Sequence, residues 1–388
     1  MLPVLGAGGS GRSELPAPPS RFLKDDAVFV SSARAAIAQA LRAAGVQAGD
    51  CVLMPAYHCG SMIEPALWLG ARPVFYRVHG DLTIDVQDFS NRLSRSVVKA
   101  AIIAHYFGFP QELTTILAAC QDQGVAVIED CAHAFFGSVE GGFPGNKGDF
   151  AVASIPKFFP VQIGGVFCSN RDKRDCRPLH LKPSGLRAEV MAVVDMVDNA
   201  SDYGRLAVLG RVIDTLRSFA GHIRKISRSH AVRDECDERG SWRWFDPSTV
   251  DAAMPVAVRV AIRLTRLADN AYRRRENFLC LARYFRGYAG VRSLHPALPD
   301  GVVPYVFPLL VDDPDSCFVE LKQKGIPIWR WEELAVSDCA VSQHYRTHLF
   351  QLPCHQGLRR DELEWIAQTV IDIAGTDAIN HTSRVGVS

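Results

Sequence analysis

Lys157 and Asp130 are the residues of this chain whose types and settings suit covalent chemistry carried out together. Lys157 follows the apolar run Phe150 to Ser154 and precedes Phe158, Phe159 and Pro160. An amine set among apolar side chains loses solvation, its pKa falls, and it becomes nucleophilic at neutral pH. Taken singly, most lysines at such positions are solvated surface groups. Asp130 closes the run Val125-Ala-Val-Ile-Glu-Asp130 at the carboxyl end of an apolar strand. A carboxylate there can face a ligand across the sheet edge, or simply cap a following helix.

The pair fits one cofactor. A lysine that forms a Schiff base, and an acid that keeps a pyridine nitrogen protonated, are what pyridoxal 5′-phosphate (PLP) chemistry asks of a protein. Its phosphate needs hydroxyls, backbone N–H groups or a helix start. Ser31, Ser32 and Arg34 stand at the mouth of a predicted helix, and Ser154 is a second candidate. Plain helix capping accounts for Ser31 and Ser32 equally well. Gly164 and Gly165 suit a tight turn before the next strand.

These residues need a frame. Short apolar runs rich in β-branched residues predict buried strands at 51–54, 73–78, 100–105, 125–129, 150–154 and 165–169. Helical spacing predicts helices at 32–44, 61–69 and 112–123, the first and last stopped by Gly45 and Gly124. Such alternation implies a mainly parallel sheet with helices on both faces, with ligands beyond the carboxyl ends of the strands. The pattern changes over 171–243, where Arg and Lys become frequent. Leu209, Val212, Ile213, Leu216 and Ile223 fall on one side of a helical spacing there. This is expected to be an atypical helical insert, a surface or dimer-contact hairpin, with peripheral membrane contact of 188–227 or a grip on a diphosphate as alternatives. Residues 249–285 read as one long helix, 303–311 as a strand, and 362–373 as a closing amphipathic helix. The expected organisation is a flexible segment 1–20, a large cofactor-binding domain 21–245, a smaller α+β domain 246–376 and a flexible tail 377–388.

Bulk properties bound the partners. With 388 residues and a net charge of +1, no overall field points to nucleic acid. No stretch approaches the roughly 20 apolar residues of a membrane span. The N-terminal residues lack the apolar run of a secretory signal. The 11 cysteines are scattered without a C-x-x-C pair, which fits reduced thiols in a cytoplasm rather than disulfides or a metal site.

The order of the pieces resembles the DegT/DnrJ/StrS family of PLP-dependent sugar aminotransferases, of aspartate aminotransferase fold type I. Val52-Leu-Met-Pro-Ala-Tyr57 is similar to the family's strand ending in Pro-x-aromatic. Gly70-Ala-Arg-Pro-Val-Phe75, Leu82-Thr-Ile-Asp85 and His105-Tyr-Phe-Gly108 resemble further family segments. Ile128-Glu-Asp-Cys-Ala-His133 resembles Ile-Glu-Asp-x-Ala-Gln, whose Asp holds the pyridine nitrogen. Gly148-Asp149 precedes the lysine strand, and Lys157 stands seven residues before Gly164, the family's spacing. Leu352-Pro353 is similar to the closing Leu-Pro segment. The resemblance runs over most of the chain and is most specific over 52–170.

The resemblance implies transamination. Lys157 would be the catalytic lysine, with glutamate as amino donor and a nucleotide-linked keto-sugar as acceptor, in a homodimer. It implies that Asp130 holds the ring nitrogen and that His133, Ser154, Ser32, Ala33 and Arg34 border the cofactor. Several positions depart from the pattern. The family's phosphate-binding Gly-Thr is Ala33-Arg34 here, and Ser154 lies three rather than five residues before the lysine. His133 replaces Gln. The ring-stacking aromatic falls at Cys59, leaving His58 or Tyr57 as substitutes. The Asn-Tyr-Arg-like segment that reaches a neighbouring subunit is absent near Asp246. Other PLP chemistry on a sugar, or a non-catalytic relative serving as a binding or assembly module, stay open. A dehydratase of the family would carry histidine at the lysine position.

Overall fold

The computed structural model describes residues 3, 16–138, 142–172, 179–202 and 242–377. The apolar positions 209–223 of the expected insert lie outside the described residues, as do most of the two expected flexible ends.

All six expected strands form. They are β2 (Cys51–Pro55), β3 (Arg72–Tyr76), β4 (Val98–Ala104), β5 (Ala126–Asp130), β6 (Phe150–Ser154) and β7 (Gly165–Ser169). A short strand missed in the sequence, β1 (Val28–Val30), completes a seven-stranded sheet of order β1-β7-β6-β5-β4-β2-β3. Strands β3, β2, β4, β5 and β6 run parallel, while β7 is antiparallel to both β6 and β1. Every residue of β2, β5 and β6 is buried, as expected of strands covered on both faces.

Helices cover the sheet. Helix α1 (Ala33–Ala43) starts where Ser32 Oγ accepts from the Ala35 N–H at 3.1 Å, and its Ala-rich sequence favours helix. Helices α2 (Gly60–Trp68), α3 (Val86–Arg95), α4 (Thr114–Asp122) and α5 (Leu186–Asp202) follow. Among the described residues of the expected insert, 171–172, 179–202 and 242–243, the helix is α5.

The single helix expected over 249–285 is broken. A 3₁₀ turn, Pro247–Thr249, is followed by α6 (Val256–Leu264) and α7 (Leu267–Tyr284). Pro255 bars a helix from running through its own position, and Thr265 and Arg266 are extended. From α7 onward the chain builds its own core. Phe278 and Leu281 pack with Phe307 and Leu309 of β8 (Val306–Val311), Phe350 and Leu352 of β9 (Leu349–Pro353), and Ile366 and Val370 of the last helix, Arg360–Ala374. The expected strand 303–311 begins three residues late, because Tyr305 instead donates its N–H to the Phe107 carbonyl at 2.8 Å.

That last bond depends on Gly108. Its φ is +107°, and a Cβ there would lie 2.8 Å from Pro304 Cα and against the Val303 carbonyl. Gly108→Ala is therefore expected to cost about 1–3 kcal/mol and to push Val303–Tyr305 outward. A urea denaturation midpoint unchanged from the parent chain would refute this.

Candidate active site

The carboxyl ends of β4, β5 and β6 converge with the start of α1 on one cavity of about 310 Å³. This is the position that parallel α/β sheets reserve for ligands, and the volume suits a cofactor-sized molecule. Lys157, Asp130, His133, Ser154, Ser32, Ala33 and Arg34 all line it. Tyr57 and His58 do not line it. Tyr57 is buried with its ring 4.8 Å from Trp331, and His58 is buried edge-on to Phe75 at 5.0 Å. Past Pro55 the chain turns these two side chains into the core, so neither is placed to stack on a ligand in the cavity. Cys59 lines the cavity instead, and Ser31 is turned away to donate to the Thr249 carbonyl at 2.7 Å.

Lys157 sits in the turn after β6, half-buried, with Nζ 5.3 Å from the ring centre of Tyr305. Loss of solvation lowers the pKa of its amine, and the Arg34 guanidinium pushes the same way, while Asp130 opposes them. Asp130 ends β5 and is buried, its Oδ1 accepting from the Ala132 N–H at 2.9 Å. Burial raises its pKa even though Lys157 works to lower it.

His133 is clamped between two rings. Phe107 stacks at 5.6 Å and Tyr305 at 4.5 Å. Its Nδ1 accepts from the Phe107 N–H at 3.4 Å, which assigns the proton of the neutral ring to Nε2. Burial, reinforced by Lys157, holds its pKa well below the ordinary histidine value. Phe107 has φ +56°, a left-handed conformation that costs a bulky residue on the order of 1–3 kcal/mol. The strain sits beside the clamp, in a segment that the Tyr305 N–H holds in place.

The start of α1 supplies the opposite wall. Gly165 lets it approach, since a Cβ there would collide with the Ser32 backbone. Arg34 Nη1 donates to the Trp244 carbonyl, and Glu64 accepts the Trp244 N–H at 2.8 Å. Trp244, Trp331, Tyr305 and Gln162 also line the cavity. None was singled out in the sequence: Gln162 lies between Lys157 and Gly164 but carries no motif identity of its own, and the other three come from beyond residue 240.

His105, Glu129 and Cys131 place potential metal ligands within 4.8 Å of one another. Glu129 already accepts from His105 Nε2 at 2.9 Å and from the N–H groups of Gly145, Lys147 and Gly148 at 2.6–3.0 Å. His105 Nδ1 accepts from the Gln111 N–H. These bonds make the cluster a hydrogen-bonded brace behind Asp130.

A family model for the DegT/DnrJ/EryC1/StrS aminotransferase family matches residues 21–191. Residues 21–191 are thus similar to this family. The matched segment includes every residue named above from Ser31 to Gly165. The chain is similar to GDP-perosamine synthase of Vibrio cholerae, 30% identical over 173 residues, covering 44% of this chain and 47% of that protein. It is similar also to the UDP-N-acetyl-3-dehydro-alpha-D-glucosamine 3-aminotransferase of Acidithiobacillus ferrooxidans, 33% identical over 147 residues, covering 36% and 37%. The chain thus spans less than half the length of these relatives. Likeness of fold extends further. A DegT/DnrJ/EryC1/StrS aminotransferase from Brucella abortus superposes with a TM-score of 0.60 at 17% identity, covering 90% of this chain and 86% of that one.

The cofactor of this family is PLP, and the residues present fit it. The cavity joins an amine of lowered pKa, a buried carboxylate, a histidine N–H donor and a helix start. Lys157 would hold the cofactor, Asp130 would face its ring nitrogen, and Ser32, Ala33, Arg34 and Ser154 would serve its phosphate. No helix among the described residues is long and apolar enough to cross a membrane.

Proposed function

We propose that this chain is a PLP-dependent aminotransferase that moves an amino group, from glutamate by family resemblance, to a keto-sugar carried on a nucleotide. The observation that carries this reading is the sharing of one cavity by the Lys157 amine and the buried Asp130 carboxylate. Two relatives, GDP-perosamine synthase and UDP-N-acetyl-3-dehydro-alpha-D-glucosamine 3-aminotransferase, support the acceptor class.

When bound, PLP supplies an electron-withdrawing ring that stabilises negative charge at the donor's α-carbon. The protein does the rest. Lys157 Nζ removes the α-proton and returns a proton at the exchanging carbon, a general base that then serves as acid. Its lowered pKa keeps more of the free amine at neutral pH than an exposed lysine would have. Asp130 would hold the proton on the ring nitrogen, and Nε2–H is the donor His133 has left to offer, since its Nδ1 accepts from the Phe107 N–H. Trp331 and Tyr305 exclude water from the reacting atoms.

We also infer a cytoplasmic homodimer. The support for the dimer is the exposed stripe of Val256, Val260 and Leu264 along α6, at 61%, 47% and 79% exposure, with Val193 and Leu186 of α5 exposed as well. Incubation with PLP, glutamate and a panel of nucleotide-linked keto-sugars is expected to aminate one of them, read by mass spectrometry. Failure to aminate any, with no visible absorbance band from lysine-bound PLP, overturns the activity.

A further inference from the structure

We propose that Arg274 is a positioning residue for Lys157, joining the turn that carries the lysine to the segments that carry Tyr305 and Gln356. This rests on the reading of Lys157 as the cofactor lysine. Arg274 lies on α7 with 0% exposure, and its guanidinium donates in three directions. Nη2 donates to the Lys157 carbonyl at 2.7 Å. Nη1 donates to the carbonyls of Pro304 at 3.2 Å and Tyr305 at 3.1 Å. Nε is shared between Asn270 Oδ1 and Gln356 Oε1, both at 2.9 Å. The same two amides donate in turn to the Phe158 carbonyl, Asn270 at 2.7 Å and Gln356 at 2.9 Å. The face of the guanidinium rests on the Phe158 ring at 4.6 Å.

This arrangement answers a particular problem. Lys157 and Phe158 lie in a turn beyond the end of β6, so their carbonyls have no ladder partner, and a buried carbonyl without one is costly. A side-chain knot satisfies both. Among the described residues no carboxylate takes part in it, so the buried cation is held there by neutral carbonyl and amide oxygens. An apolar side chain of similar size would avoid that desolvation cost, and stability alone is a weak reason for a buried ion. What an apolar residue could not do is fix two loops in register, which the planar fork does through directed bonds.

The two loops are the ones that matter. Lys157 Nζ lies over the Tyr305 ring, and that ring stacks on His133. One guanidinium therefore sets the backbone from which the amine projects and the backbone of the aromatic that covers it. A displacement of about 1 Å at a reacting group can cost on the order of 10²-fold in rate. Loosening the turn would also admit water to the amine and move its pKa back up.

The test compares the full chain with Arg274→Lys and Gln356→Leu. Each is incubated with PLP and cyanoborohydride, and the rate and pH profile of labelling at Lys157 are read by peptide mass spectrometry. Circular dichroism and melting report folding. Arg274→Lys keeps the charge but loses the fork. It is expected to label Lys157 on the order of 10²-fold more slowly and to shift the labelling midpoint to higher pH. Gln356→Leu, which leaves Arg274 in place, is expected to do the same to a lesser degree. A folded Arg274→Lys protein with the wild-type rate and pH profile overturns the proposal. Should that variant not fold, Gln356→Leu decides in the same way. Absence of labelling at Lys157 in the unmodified chain instead overturns the underlying reading of the lysine.

Discussion

Lys157→Ala is expected to abolish labelling by PLP and borohydride and to lower turnover by at least on the order of 10²–10⁴-fold, the range that a positioned acid–base group contributes. Loss of the covalent anchor adds to this, so the true figure should lie at or beyond the upper end. The physical case is the setting of the amine. Burial, helped by Arg34, lowers its pKa from the ordinary 10.5. The free amine is the form that attacks a carbonyl, so labelling of the wild-type chain should rise with pH around a midpoint below that of exposed lysines. The same shift bears on stability. A lysine whose folded pKa is lowered binds fewer protons folded than unfolded. It destabilises the fold fully below the folded pKa, and the penalty fades as pH rises from there to the ordinary value. Lys157→Ala removes that penalty, so the inactive variant should be folded at neutral pH and lose the pH dependence. Retained activity together with labelling at another lysine would mean that the catalytic amine lies elsewhere.

What could be read in advance follows from where information sits along the chain. The central strands β2, β4, β5 and β6 are continuous apolar runs because both faces of the sheet are covered, and the residues within three positions of their ends carry the chemistry. Lys157, Asp130, His133 and the start of α1 were legible for that reason. The cover of the site was not. Tyr305, Trp331 and Trp244 come from loops more than 80 residues after Lys157, and no local spacing links them to it. Tyr57 and His58 were read as bordering the cofactor, but hydrophobic packing beneath Trp331 and Phe75 draws them inward. Arg274 sits in the charged run Arg273–Glu276, which composition alone would place in solvent. A helical count shows otherwise. Ala271, Arg274, Phe278 and Leu281 form one buried stripe, with Arg273 exposed beside it. A charged residue on an apolar stripe is the signal that could have been found. The break at Thr265 left no comparable trace, since neither Thr265 nor Arg266 is a strong helix breaker.

Asp130→Asn separates the catalytic role of the carboxylate from its cost to the fold. The amide has nearly the same shape and can still accept from the Ala132 N–H through its oxygen. It cannot hold a proton on a pyridine nitrogen, so the ring would withdraw electrons less strongly and turnover should fall on the order of 10²–10³-fold, as when a preorganised electrostatic partner is lost. The effect on the chain without cofactor runs the other way. Burial raises the pKa of Asp130 above its ordinary 3.8, despite the lowering influence of Lys157. An acid with a raised folded pKa binds more protons folded than unfolded, so stability falls as pH climbs from the unfolded pKa to the folded one. The full penalty is then present above the folded pKa. The variant lacks that penalty. Free of PLP, it should melt at a higher temperature than the parent near neutral pH, and the difference should shrink as acid protonates the parent's carboxyl. Adding PLP should reverse the order, because only the parent gains the charge pairing with the ring. A variant that melts lower than the parent without cofactor would show that Asp130 is held for structure. Melting curves of both proteins at two pH values, with and without PLP, give the answer directly.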